Sequence, residues 1–430
     1  MQLQETRSSM VRSSSFMAEN LIPSEIIKLA AEVQQKIQNG EKIYNLTIGD
    51  FDPRIFRIPK KLEDHIIQAY RDGQTNYPAA NGMAELRQVL SRYIQKKLRL
   101  QYQPEEVLVS SGARPLIYAA YKTLLDPGDV VLYPVPSWNN NHYCHLSQAR
   151  GIALQVDASQ HFMPSAKDIL PHLEEATMIA LCSPQNPTGT VFTREALLEI
   201  CQLVLRENLR RQGIQKPLYI LYDQIYWELT FGDTKHFEPV GLVPELKDYV
   251  IYIDGLSKVF AATGLRVGWA FGPKKRIDQM RAILSHVGAW APKAEQVASA
   301  WFLEDESAVQ EYLDVFKPEI HSRLQGLYEG LDQLRAQGYP IEAIHPMAAI
   351  YLTVRCPWTG MRKPDGSLLQ NQKMVTEYIL NSCKVAMVPF NAFGSDDDSE
   401  WYRISVGTLK TNEIASIIAA FKQGMDQLEA

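Results

Sequence analysis

The chain has few cysteines, no long apolar run and no basic tract, and each absence removes a class of function. Five cysteines, Cys144, Cys182, Cys201, Cys356 and Cys383, are scattered over 430 residues. They show neither metal-ligand nor redox-pair spacing, so they read as reduced thiols of a cytoplasmic protein and no metal is expected. No window approaches the roughly 18 uninterrupted apolar residues of a membrane span, so no membrane partner is expected. Lys and Arg number 44 against 49 Asp and Glu, for a net charge of −5, and without a basic run nucleic acid is not an expected partner. A nicotinamide dehydrogenase is set aside because no glycine fingerprint follows any strand-like run. Residues 1–16 lack the apolar centre of a secretory signal and read as a flexible tail.

What is present is enough apolar material for a large core: 46% of residues are hydrophobic and 10% aromatic, which suits two packed domains. Leu86, Val89, Leu90, Tyr93, Ile94 and Leu98 recur at spacings of three and four, predicting a helix over 84–98. Short apolar runs at 107–109, 130–133, 178–181, 218–222 and 250–253 are separated mostly by helical stretches, which predicts a mainly parallel sheet covered on both faces. A long charged helix follows over about 308–337, with a kink expected at Pro318. Runs at 349–354, 385–388 and 402–406 then predict strands of a smaller α+β unit, closed by a helix that Thr411 is expected to cap. The expected division is a tail at 1–16, a small-domain segment at 17–56, a large domain at 57–307 and the rest of the small domain at 308–430.

The chemistry-bearing residues lie just past the predicted strand ends, where open α/β sheets bind ligands. Ser111-Gly112-Ala113 opens a helix whose free N–H groups suit a phosphate, or is simply a tight capped turn. Trp138 offers a ring platform or core packing. Asn186 sits in Ser183-Pro184-Gln185-Asn186-Pro187-Thr188-Gly189, a turn fixed by two prolines and a glycine. Asp223, with Tyr226 three residues on, is either a helix cap or a carboxylate awaiting a cation. Lys258 ends Asp254-Gly255-Leu256-Ser257-Lys258, and a lysine so placed can form a Schiff base with an aldehyde. Alone, it is an ordinary surface charge.

Taken in order, these segments resemble the class I and II aminotransferases, fold-type I enzymes dependent on pyridoxal phosphate. The resemblance runs from about Leu46 to Val406. Within it the ordered motifs begin with Tyr77-Pro78-Ala79-Ala80-Asn81-Gly82 and end with Trp401-Tyr402-Arg403-Ile404-Ser405. It implies a large domain with a mainly parallel seven-stranded sheet between helices, and a smaller α+β domain. It also implies a catalytic set: Lys258 as cofactor anchor and proton shuttle, Asp223 on the ring nitrogen, and Asn186 and Tyr226 on the phenolic oxygen. Trp138 is implied to stack on the ring, while Ser111, Gly112, Ala113, Ser257 and Arg266 hold the phosphate. Arg403 would clamp the substrate α-carboxylate beside Gly49. Tyr77 would reach the phosphate of a neighbouring subunit, which implies a homodimer with shared sites.

The activity so implied is transfer of an amino group from an L-amino acid to a 2-oxo acid by a ping-pong cycle, with aspartate and 2-oxoglutarate the leading pair. The alternatives are a carbon–sulfur β-lyase using the same cofactor, and the effector-binding domain of a regulator. The latter lacks room for a helix-turn-helix before Leu46. Three positions depart from the family pattern. Gly255 stands where relatives have a phosphate-binding serine, and Ala348 and Phe390 replace glycines, where added bulk is expected to narrow the pocket. Arg54, Arg57, His142 and Lys293 are candidate cations for an acidic side chain. Asn140, Asn141 and His142 are either substrate donors or loop residues, and Trp290 either favours aromatic substrates or packs the domain interface.

Overall fold

A computed structural model describes residues 13–21 and 25–429. Of the expected tail, residues 1–12 lie outside the described residues. From Phe16 the chain is helical (Phe16–Glu19), with the Ser15 hydroxyl accepting the Ala18 N–H.

The predicted parallel sheet is present with seven strands. Its order across the sheet is Val107–Ser110, Gly268–Phe271, Val250–Gly255, Tyr219–Asp223, Ala176–Cys182, Val130–Val135 and Arg150–Gln155. Only Gly268–Phe271 runs antiparallel to its neighbours. Burial on both faces explains why these strands are apolar without alternating with polar residues. In the Tyr219–Asp223 strand, Tyr219 and Leu221 join the core under Ala113–Leu124 and Lys274–Val287. Ile220 and Tyr222 join the larger core on the other face. Two strands escape the sequence reading: Gly268–Phe271 is four residues long and starts on glycine, and Arg150–Gln155 is an edge strand with mostly exposed side chains.

A four-stranded antiparallel sheet forms the smaller unit, in the order Val388–Pro389, Trp401–Ser405, Tyr351–Arg355, Glu342–Ala343. Tyr44–Asn45 pairs in parallel with Val385–Ala386, which ties the N-terminal segment to the C-terminal unit. The predicted run 385–388 is therefore two short strands in different sheets. The helix Ala84–Leu98 ends as predicted, and Glu306–Ala336 passes through Pro318 as one 31-residue helix. Thr411 begins a 3-10 turn instead of capping the last helix, which runs Ile414–Met425.

The two units meet without intervening side chains at Gly189. There φ is 71°, and a Cβ would lie 2.5 Å from the Tyr351 carbonyl oxygen. The Ala348 N–H donates to Gly189 O at 3.0 Å, and the Thr353 hydroxyl donates to Thr188 O at 2.9 Å. Among the described residues no helix is long and apolar enough to cross a membrane.

Candidate active site

A cavity of about 740 Å³ opens at the carboxyl ends of the central strands, between the large sheet and the smaller unit. Its wall includes Gly49, Ala113, Trp138, Asn186, Asp223 and Tyr226. Ser257, Lys258, Arg266 and Arg403 of the expected set are also in it, whereas Ser111, Gly112 and Tyr77 are not. Residues separated by hundreds of positions converge because each strand ends in a turn at the same edge of the sheet.

One corner is built from turns of the large domain. Gly112 (φ 93°) precedes the helix Ala113–Leu124, whose first-turn N–H groups lack intrahelical acceptors. A Cβ on Gly112 would lie 2.3 Å from Arg266 Nη2, so the guanidinium fits only against glycine. Arg266 lies in the left-handed region (φ 56°), costly for a non-glycine residue. It donates to Ser111 O at 3.0 Å and Thr263 O at 2.7 Å. Ser111 and Gly112 thus reach the cavity through Arg266 and are not in its wall. Gly255 has a steric reason: a Cβ there would lie 2.9 Å from Gly268 Cα, where two strands approach closely.

In the opposite wall Arg403 is buried. Its Nη2 donates to Thr47 O at 2.6 Å and its Nη1 to Asn186 Oδ1 at 3.1 Å. The Nε–H has no partner, an unsatisfied donor that costs about 1–3 kcal/mol until an acceptor arrives. Its guanidinium lies 4.8 Å from the Tyr351 ring and 5.0 Å from the Phe393 ring. Tyr351 also shares a 2.6 Å hydrogen bond with the Tyr226 hydroxyl. A Cβ at Gly49 would lie 2.9 Å from the Tyr351 hydroxyl, so glycine keeps this approach open.

Between the corners, Lys258 Nζ donates to Gly49 O at 2.6 Å. Burial draws its amine down to about 8; Asp50 opposes that shift, while Arg403, Arg114 and Arg266 add to it. Asp223 caps its own turn, its Oδ1 accepting the Ile225 N–H at 3.1 Å. Burial pushes its carboxyl up to about 6, against that N–H and the Lys258 charge. No helix begins at Asp223, so it caps a turn and not a helix, and its carboxylate stands at the cavity wall. Burial raises Tyr226 well above its ordinary range, which keeps it a neutral donor or acceptor.

Several other expected residues lie outside this cavity. Tyr77 is 83% exposed and packs edge-on against Trp290, ring centroids 5.2 Å apart, in a separate surface hollow. Trp290 thus lines no part of this cavity, and Lys293, bonded to Asn76, shares that outer hollow. Arg54 pairs with Asp52 and Arg57 with Glu63, both on the surface. Ala348 and Phe390 do not narrow the cavity: both are fully buried outside its wall, Phe390 against Phe162. Asn140 does line it, bonded to Tyr121 and Ser137, whereas Asn141 and His142 do not.

Sequence reasoning missed Arg114, Asp50 and Tyr351. Arg114 lies in the wall with its guanidinium 5.2 Å from the Trp138 ring. Its position in the first turn after Ala113 was the available signal. Tyr351 gave none, because an aromatic residue in a strand reads as core.

The chain is similar to known aminotransferases in sequence and fold. An aspartate aminotransferase from Geobacillus stearothermophilus is 28% identical over 399 residues, 91% of this chain and 95% of its own length. A bifunctional aspartate aminotransferase and glutamate/aspartate-prephenate aminotransferase from Petunia hybrida is also 28% identical, over 87% of this chain and 75% of its own. The solved aspartate aminotransferase of Rhizobium meliloti superposes with a TM-score of 0.89 at 25% identity, covering 97% of this chain and all of that one. A family model described as aminotransferase class I and II matches residues 41–421. The chain belongs to this family, whose members move amino groups with pyridoxal phosphate.

Proposed function

We propose that this aminotransferase holds pyridoxal phosphate in the 740 Å³ cavity and exchanges amino groups between L-aspartate and 2-oxoglutarate in two half-reactions. The observation that carries the reading is the meeting of Lys258, Asp223 and Arg403 in one wall system. The chemistry of the donor set fits the cofactor. A half-buried amine near 8 can condense with an aldehyde, and a carboxyl that desolvation holds near 6 despite the Lys258 charge suits the added cation of a protonated ring nitrogen. First-turn N–H groups beside Arg266 suit a phosphate dianion. When bound, the cofactor supplies a carbonyl carbon for amine exchange and an electron-withdrawing ring that stabilises charge on the substrate α-carbon.

The chain's residues do the rest. Lys258 would anchor the cofactor and, once freed, would carry the substrate α-proton to the cofactor carbon that bears the amino nitrogen. Asp223 would keep the ring nitrogen protonated, and Asn186 and Tyr226 would bond the phenolic oxygen. Trp138 would support the ring; Ser111, Gly112, Ala113, Ser257 and Arg266 would retain the phosphate. Arg403 clamps the α-carboxylate in a planar fork beside Gly49, its unpartnered Nε–H among the donors. This fixes the Cα–H bond toward Lys258. Arg114 is the second cation that an acidic side chain requires, and the names of the relatives support aspartate. Tyr77, exposed here, serves the site of a second copy, so the working unit is a homodimer. Five free cysteines support a reducing, cytoplasmic setting.

To test the reading, the purified protein is offered a panel of amino acids while the absorbance of bound cofactor is followed. Aspartate and glutamate should convert it, with reversal by 2-oxoglutarate. Pyruvate and ammonia from cystathionine, without conversion of the cofactor, would establish the lyase instead.

A further inference from the structure

Three guanidinium groups, Arg114, Arg266 and Arg403, share the cavity wall with Lys258, and among the described residues two carboxylates, Asp50 and Asp223, line it with them. Asp223 has a place in the reaction already given. Asp50 has none, yet it is the more firmly held. Its Oδ1 accepts the Thr263 hydroxyl at 2.7 Å and its own following N–H, that of Phe51, at 2.8 Å. Its carbonyl oxygen packs so closely on Gly407 that a Cβ there would lie 2.0 Å away.

The carbonyl just before it, Gly49 O, receives Lys258 Nζ at 2.6 Å. The carbonyl of Thr263 receives Arg266 at 2.7 Å. Asp50 is thus pinned between the turn that follows Lys258 and the segment that approaches Arg403.

We propose that Asp50 is a positioning residue: a fixed negative charge, locked by the Thr263 hydroxyl, that offsets the arginines around Lys258 and keeps its amine ready to hold a proton. Asp50 and Asp223 are the acids around Lys258, and Arg114, Arg266 and Arg403 the cations. Tyr226, whose ring centroid lies 5.8 Å from Nζ, and Tyr351 are phenols held neutral by burial. Asp50 counters the effect of burial on Lys258, and Asp223 in turn feels the Lys258 charge. A charge fixed by an O–H and an N–H donor does not swing away when substrate enters, so its influence persists through the cycle.

The inference rests on Lys258 being the anchor and proton carrier, and the test separates the two claims. The full chain, freed of cofactor, is treated with cyanate across a pH series, and carbamylation of the Lys258 peptide is measured by mass spectrometry. Asp50→Asn should move the midpoint of reactivity down by about one pH unit, with Asp50→Glu restoring most of it. Thr263→Val should shift it the same way by less, and Thr263→Ser should leave it in place. In the loaded enzyme, the pH midpoint of the cofactor band should fall in parallel. An unmoved midpoint in Asp50→Asn and Thr263→Val, with normal melting temperatures, would overturn the proposal. If Asp50→Asn does not fold, Thr263→Val alone decides. Retained transamination by Lys258→Ala would instead sink the anchor reading and leave the midpoint result standing.

Discussion

Arg266 and Arg403 stand in the wall of one cavity and are held in opposite ways. Arg266 is half-buried and bonded within its own domain, to Thr263 three residues away and to the Ser111 carbonyl in the turn beside Gly112. Arg403 is 2% exposed and bonded to Thr47 and Asn186, 356 and 217 residues away. The first corner exists as soon as the large sheet folds. The second exists only when the N-terminal segment, the smaller unit and the large sheet are all in place. A built-in corner suits retention of a group that stays, and an assembled one suits recognition of a group that comes and goes.

Substitutions can break or sharpen that contrast. Lys258→Ala, which empties the ground between the corners, should cost about four orders of magnitude in turnover by steady-state assay with aspartate and 2-oxoglutarate. Arg403→Lys should lower kcat/KM for aspartate by about a thousandfold, because an ammonium cannot reproduce the planar fork, while cofactor affinity holds. Arg266→Ala should do the reverse, raising the cofactor Kd by about a hundredfold with the aspartate KM at saturating cofactor nearly unchanged. Should both arginine variants move the same quantity, the division of labour fails.

The smallest effect concerns Asp223. Its carboxyl sits near 6 in the fold against about 3.9 in an unfolded chain. The charged form is therefore the disfavoured one. Its cost is absent below about pH 4, grows between there and 6, and is fully present above. Cofactor-free Asp223→Asn should be more stable than the parent by about 2 kcal/mol at pH 7, with no gain at pH 4, in denaturant melts read against pH.

The same contrast explains what could be read in the sequence. Asn186, Asp223 and Lys258 each follow an apolar run within a few positions, so strand and turn are encoded side by side. The Gly112 and Arg266 turns are equally local. The surroundings of Arg403 are not: the Thr47 carbonyl is main chain and carries no residue signature, and Tyr351 is disguised as core. Ala348 and Phe390 misled for the same reason, since departure from a motif does not say which way a side chain packs. Gly255 was a steric matter, fixed by a strand that the sequence barely marks.

At Gly189 the two units touch through peptide groups alone. That contact between the units is a property of the main chain, independent of any rotamer. Ile26, Ile48 and Ile117, which line the cavity from elsewhere, can therefore be exchanged for larger or smaller residues to redirect the enzyme toward other amino acids, while the spacing of the two arginines is carried over unchanged into each redesigned pocket.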